Sequence, residues 1–441
     1  MRIGYLSSFP PIECGIATYT SYLEEATARL DIDTFVVAPH GAQGDNVFPT
    51  YQAGSGGFAP AAYQMFTQLT PDVVHIQHEY GLFGPSRGVE VVDLVLRLRL
   101  VDIPVVVTLH TVYESLKPGE QLVLRHLLPE CQGIIVHEDF QRSTLRRELG
   151  DEVADKVTVL DHGVREVMPV RDPKRKLGLH PADKVVMMCG YFRPTKGFHK
   201  AVEFFGEVAE AHPDAVLVMA GKTRNIEYDD YRQELLAEIA ETPFASRVQV
   251  LAGQFPQHTF DTLLSAADVV VLPYDVGAQS GVLSQAIAFK RPLVTSQLKA
   301  FTSVTRRSGA GVSCPDSELG AQINRVLGSR AVANSFSAAA DTYIRRRAGW
   351  SVIARRHEEL YRSLMADRIG AGARHVHVSG ETERVLDVAG QATGNGNGSN
   401  GNGSNGNGHR HSTRPLAIGD WLKTAENFDP PAPVAAEALA E

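Results

Sequence analysis

From Arg2 onward the chain alternates short apolar runs with stretches whose apolar residues recur at helical spacing. The runs Arg2–Leu6, Thr34–Ala38, Asp72–Gln77, Pro104–Leu109, Gly133–His137 and Val157–Leu160 predict strands. Between them, Ala17–Leu30, Val89–Leu100 and Phe140–Leu149 have the period of amphipathic helices. Strands this apolar, separated by helices, belong to a parallel sheet covered on both faces, so a doubly wound α/β unit is expected.

Arg171–Lys176 (RDPKRK) is a charged break, after which the alternation restarts. Strands are predicted at Val185–Cys189, Ala215–Ala220, Val248–Leu251, Asp268–Leu272, Pro292–Thr295 and Gly311–Ser313, with helices at Phe198–Ala211, Tyr231–Ile239 and Val282–Phe289. Ala331–Met365 reads as helical, with Trp350, Ile353, Leu360, Tyr361 and Leu364 on an apolar face. The expected division is therefore 1–170, 171–341, a helix over 342–366, and a low-complexity flexible tail over 367–441. Within that tail, Thr393–His411 repeats Gly, Asn and Ser with no apolar residue, so burial cannot offset its ordering entropy. Leu416–Phe428 fits either a docking peptide for a partner or an inert extension, and its composition favours the extension.

Length and composition narrow the class. A chain of 441 residues exceeds one ordinary core and suits two. A formal net charge of −8 gives no general attraction to nucleic acid, which is not an expected partner. The four cysteines, Cys14, Cys131, Cys189 and Cys314, lie far apart and read as buried thiols in a reducing compartment. No leader-like start and no run of about 18 apolar residues is found, so a cytoplasmic protein with no transmembrane segment is expected, peripheral membrane contact being left open.

Several loops carry chemistry. Gly15 closes the loop after the first strand and opens a helix, where backbone N–H groups can approach a phosphate; a plain turn glycine would look the same. The loop lacks GxGxxG, against a nicotinamide or flavin enzyme. In Tyr191–Gly197 (YFRPTKG), Arg193 and Lys196 follow a strand and precede a helix, a placement suited to a diphosphate. Ser280, Gly281, Val282 and Leu283 start a helix whose amides offer a second anion site, and Gln285 one turn on suits a ribose diol. His75, Gln77, His78, Glu79 and Tyr80 end the third predicted strand and His110 the fourth, at sheet ends where ligands bind. Strand alternation sends His75 and Gln77 to one face and His78 to the other, which weighs against a metal site; a core histidine satisfied by its surroundings is an equal reading for His75.

Taken together, these segments resemble retaining glycosyltransferases of family 4, which have the GT-B fold. The resemblance spans roughly Met1 to Met365. It rests on Gly15, His110, the His162-Gly163-Val164 turn, the Arg193–Gly197 loop, Ala220–Lys222, Ala266–Tyr274, Ser280–Ser296 and the Gly349–Leu364 helix, in that order and spacing.

The resemblance implies two Rossmann-like doubly wound parallel-sheet domains facing a cleft: an acceptor domain over 1–170 and a nucleotide-sugar donor domain over 171–341. The last helix would cross back to the first domain. It implies a hexosyltransferase of polysaccharide biosynthesis that uses GDP-, UDP- or ADP-hexose as co-substrate, without metal or other cofactor, on a saccharide or glycoconjugate acceptor. Arg193 and Lys196 would neutralise the diphosphate, Gly281, Val282 and Leu283 would hold its terminal phosphate, and Gly15 would approach from the other domain. Gly253–Gln257 would edge the base, His110 would hydrogen-bond the sugar, and the His75–Tyr80 loop would face the acceptor, with Glu79 a weaker candidate base.

Two departures stand out. The family's paired glutamates, eight positions apart, are here Gly277 and Gln285. Gln285 can still bind ribose, but sugar recognition near Gly277 must come from elsewhere, such as the backbone of Gly277–Gln279. Arg193 also lies two places beyond the family's usual arginine. A sugar-nucleotide epimerase of the same fold and a non-catalytic sugar-nucleotide-binding protein are the competing readings.

Overall fold

In the computed structural model, the first apolar runs become seven strands: β1 (Arg2–Leu6), β2 (Asp33–Pro39), β3 (Val47–Tyr51), β4 (Val73–His78), β5 (Val105–Leu109), β6 (Gly133–Val136) and β7 (Val157–Val159). The structure describes residues 1–386 apart from 55–56, 85, 223–228, 254, 278–279, 371–374 and 380–381. At 229, 367–370, 375–379 and 382–386 it describes the backbone alone. The strands pair in the order β3-β2-β1-β4-β5-β6-β7, every pair parallel. All five residues of β5, VVVTL, are buried, as a strand covered on both faces requires.

The second sheet holds β8 (Lys184–Tyr191), β9 (Ala215–Lys222), β10 (Val248–Ala252), β11 (Val269–Leu272), β12 (Leu293–Thr295) and β13 (Gly311–Ser313). It is also all-parallel, in the order β10-β9-β8-β11-β12-β13. In each sheet the strand order reverses at one point, between β1 and β4 and between β8 and β11. A crevice opens at the carboxyl ends of strands at such a reversal, and ligands of this architecture bind there.

Most predicted elements appear within a residue or two; beyond helices absent from the sequence reading, such as Pro118–Leu127 and Lys299–Ser308, three differences are instructive. Strand β3 (VFPTY) is absent from the sequence reading because Pro49 interrupts it. It is tolerated as a short edge strand, paired to β2 with a register shift at Ala38/Pro39. The helical stretch predicted over Ala331–Met365 is broken. Arg330–Tyr343 is α-helical, Ile344–Ala348 forms a π turn, Gly349 is extended, and a new helix runs over Trp350–Gly370. The span 367–441, read as tail, begins with the end of that helix. A separate unit starting at Arg374 then pairs His375–Ser379 antiparallel with Thr382–Leu386. The Gly/Asn repeat and Leu416–Phe428 lie outside the described residues.

The break at Gly349 lets the last helix return to the first sheet. Val164 N–H donates to the Ala348 carbonyl at 2.7 Å, and Trp350, Ile353, Ala354 and Tyr361 join Ile3, Tyr5, Tyr19 and Leu23 in one core. The turn at Gly163 is shaped by this return, since a Cβ there would lie 2.4 Å from the Trp350 ring. A buried ion cluster also ties the sheets together. Arg307, on helix Lys299–Ser308, donates to both Glu138 oxygens (2.6 and 2.8 Å) and to Asp161 (3.0 Å), which also accepts from Arg347 and Tyr343.

Candidate active site

The loops after β1, β4, β5, β8 and β11 converge on a cleft of about 620 Å³ between the two sheets. Among its walls are Gly15, Glu79, His110, Lys196, Gly281, Val282 and Gln285. Helix Gly15–Ala28 carries no side-chain cap, and a Cβ on Gly15 would meet nothing within 4 Å. The protein's own packing therefore does not require this glycine, whose open amide end faces the cleft.

Across the cleft, helix Gly281–Ala288 also begins with open space at its first glycine, Gly281, but it is capped. Its cap, Ser280, accepts from the Leu283 N–H at 3.4 Å. Leu283 is thus engaged and its side chain buried, which leaves the amides of Gly281 and Val282, of the three expected, at the open end of this helix.

Lys196 stands on a short 3-10 turn after β8. Gly197 ends that turn in the left-handed region (φ +66°), pressed so closely to Pro273 that a Cβ would come within 2.1 Å of its carbonyl oxygen. Asp275 N–H, bound to Thr195 O at 3.1 Å, further fixes the loop. The Lys196 ammonium sits 3.7 Å from the centre of the Tyr274 ring, and burial with Arg193 nearby lowers its pKa to about 8. Arg193 lines an adjoining annex of about 340 Å³ together with Lys196 and Gly277.

His110 reaches the cleft, but the strand residues behind it do not. His110 Nε2 donates to Gln77 Oε1 at 2.8 Å, which leaves Nδ1 as an acceptor. Burial, then the neighbouring His137 and His162, hold His110 well below the usual histidine range, so the ring is neutral. Gln77 Nε2 contacts His75 Nε2 at 3.3 Å, and His75 Nδ1 meets the Tyr361 hydroxyl at 2.6 Å. His75 and Gln77 therefore connect the returning helix to His110 instead of facing an acceptor. His78 points to the opposite face, buried against Tyr80 and Phe83, with its pKa lowered by burial to about 4. Tyr80 is buried as well. Of the five residues expected on the acceptor side, only Glu79 lines the cleft. Its carboxylate accepts from Thr111 Oγ1 (2.5 Å) and Tyr80 N–H (3.1 Å), and burial raises its pKa. The alternation of an all-buried strand accounts for this split.

Gln285 lines the cleft with its amide oxygen already engaged: Arg165 donates to it at 2.8 and 3.0 Å and also pairs with Asp261 at 2.5 Å. Sequence reasoning passed over Arg165, although it directly follows the His162-Gly163-Val164 turn. Gly253 borders a side pocket of about 230 Å³ with Gly15, Gly221 and Phe260, where Lys222 pairs with Glu13 at 3.1 Å. Gln254 and the Ala278–Gln279 backbone lie outside the described residues. A row of rings also went unforeseen. His110, His137 and His162 stand 5.4 and 5.2 Å apart, and Tyr19 packs against all three and Trp350. His137 directly follows β6 as His110 directly follows β5, a repeat that was visible in the sequence. Cys131, Cys189 and Cys314 are buried as expected, whereas Cys14 is half-exposed at the cleft.

Two parallel sheets with their switch points facing one cleft define the GT-B architecture. Residues 14–166 match the family model "Glycosyltransferase Family 4" and residues 170–343 the model "Glycosyl transferases group 1". The chain is a glycosyltransferase, family 4-like, with the GT-B fold.

Similar proteins include a phosphatidyl-myo-inositol mannosyltransferase of Mycobacterium leprae, 25% identical over 82% of this chain and 97% of that one. A glycogen synthase of Mycobacterium tuberculosis is 23% identical over 66% of this chain and 68% of its own. Among solved structures, a sucrose-phosphate synthase from Thermosynechococcus elongatus superposes with a TM-score of 0.66 at 19% identity, covering 83% of this chain and 100% of that one. Anabaena HepE in complex with UDP and glucose superposes at 0.61 with 16% identity, covering 82% and 100%. Among the described residues, no helix is long and apolar enough to cross a membrane, and no group of His, Cys, Asp and Glu could hold a metal ion.

Proposed function

We propose that the chain transfers a hexosyl group from a GDP-, UDP- or ADP-hexose to a hydroxyl of a saccharide or other acceptor, with retention of configuration and without a metal ion. The observation that carries this reading is a single cleft lined by Lys196, the amide end at Gly281–Val282 and the amide end at Gly15. The acceptor oxygen bonds to the anomeric carbon on the face that the diphosphate leaves, the carbon–oxygen bond to the diphosphate breaks, and a donor phosphate oxygen takes the acceptor's proton. Lys196, the helix end and Arg193 from the annex offset the charge gathering on the leaving group, and removing one such group typically slows turnover by about 10²–10³-fold. Neutral His110 suits a hydrogen bond to the sugar better than proton removal. Gly253 edges the base pocket, and Gln285 with Arg165 serves the ribose.

The test is turnover with a panel of the three nucleotide sugars and simple saccharide acceptors, the product anomer being read by NMR. A new glycosidic bond of the donor's configuration, formed in the presence of EDTA, supports the reading. Inversion or EDTA sensitivity would remove those parts of it. An epimerised donor without acceptor would mark an epimerase, and donor binding without turnover on any acceptor would mark an idle binding protein.

A further inference from the structure

We infer that the sugar this chain transfers carries its own negative charge, as in a nucleotide-diphosphate hexuronic acid; this rests on the proposal that the cleft takes a nucleotide sugar. The annex beyond Lys196 is walled by Tyr113, Arg193, Thr195, Lys196 and Gly277 among others, and none of its described lining residues is acidic. Two cations thus border it without a carboxylate. Arg193 Nε and Thr195 Oγ1 are buried with no hydrogen-bond partner among the described residues. Buried donors are nearly always satisfied, so among the described residues the Arg193 side chain is short of an acceptor.

Two acids flanking these loops, Glu79 and Asp275, are committed elsewhere. Glu79 accepts from Thr111 and the Tyr80 N–H, and Asp275 pairs with Lys200 at 2.5 Å.

The annex is also where the sugar belongs. Lys196 lines both the main cleft and the annex, whereas Gly281 and Val282 line only the cleft and Arg193 only the annex. A diphosphate held by Lys196 and the helix end projects its sugar past Lys196 toward Arg193. Tyr113, 37% exposed, offers a flat face against a pyranose ring. Gly277 adds no side chain to the annex wall, so no carboxylate at this position repels an anion. A neutral hexose offers the Arg193 guanidinium only hydroxyl oxygens, with no charge to match its own. A carboxylate at C6 meets it with charge-assisted, geometrically matched hydrogen bonds. On this assignment the helix end and Lys196 carry most of the diphosphate's charge, and Arg193, besides offsetting that charge from the annex, selects the acidic sugar.

The experiment is calorimetric titration of the full chain with UDP, GDP and ADP. Matched gluco- and manno-configured hexose and hexuronic acid pairs then follow on whichever nucleotide binds. The hexuronic acid should bind at least about tenfold more tightly than its hexose, the scale of a hydrogen bond to a charged group. That ratio should fall to about one or below in Gly277→Glu, which adds a carboxylate to the annex, and in Arg193→Gln. A wild-type ratio of one or less, with nucleotide binding intact, overturns this inference and leaves the glycosyltransferase reading standing. A high ratio that neither folded variant changes overturns the annex as its source. Should a variant not fold, the wild-type ratio and the other variant decide. No binding of any nucleotide or nucleotide sugar overturns both readings.

Discussion

Replacing Lys196 by methionine removes a charge and keeps most of the apolar stem, so it separates what this lysine does for folding from what it does for ligand. Burial, with Arg193 beside it, lowers the lysine from 10.5 to about 8. At roughly 1.4 kcal/mol per pKa unit, holding the proton at pH 7 costs at most about 3 kcal/mol of folding stability, and solvent relaxation brings this to about 1–3 kcal/mol. The sign follows from proton counting. Between about 8 and 10.5 the unfolded chain keeps a proton that the folded chain has released, so wild-type stability rises with pH through that window. Lys196→Met has no such rise. The variant should therefore be more stable than wild type at pH 7 by about 1–3 kcal/mol, the gap narrowing as pH approaches 10, while nucleotide-diphosphate binding weakens by at least about tenfold. Urea unfolding followed by circular dichroism at pH 7, 8, 9 and 10 reads the difference, in which the other titrating groups cancel. A variant no more stable at pH 7, with a gap independent of pH, would refute the argument that this ammonium is held under strain for a ligand.

Gln285→Ala should weaken nucleotide binding by roughly 1–2 kcal/mol in calorimetry, whereas Gln285→Glu should stay within about threefold of wild type because Arg165 already stands at that oxygen. Arg307→Ala leaves Glu138 and Asp161 buried with their shared cation gone, and should lower unfolding stability by about 3–5 kcal/mol in denaturant titration. A chain ending at Ala366 should keep its melting temperature and its nucleotide affinity; a fall in either would show that residues beyond 366 contribute to the catalytic unit.

The fold was legible because its signals are local and repeated. Apolar runs such as VVVTL at β5 and VVVL at β11, alternating with amphipathic stretches, allow little besides parallel sheets. The edge strand β3 escaped because Pro49 and a single pairing neighbour leave little pattern. The π turn at Ile344–Ala348 escaped because its cause is tertiary: Gly349 must turn the chain so that Trp350 can cover Gly163.

Loop residues at strand ends, Gly15, Lys196 and Gly281, could be placed at the cleft from sequence, since chain direction alone puts them there. His110 could be placed in the same way, but His75 and His78 could not. His75 and His78 lie three apart on one strand, and which of their faces packs under Tyr361 depends on a helix contributed from distant sequence. Arg165 was missed for the same reason: its partners Asp261 and Gln285 lie 96 and 120 positions away.

The central claim is that Lys196 and the Gly281–Val282 amides together hold the diphosphate of a nucleotide sugar. Calorimetric titration of wild type and Lys196→Ala with UDP, GDP and ADP tests it most directly. At least one nucleotide should bind the wild type, and its affinity should fall by about tenfold or more in the variant, the scale of losing a charge-assisted contact. Equal affinity in the two proteins, or no binding to either, would contradict it.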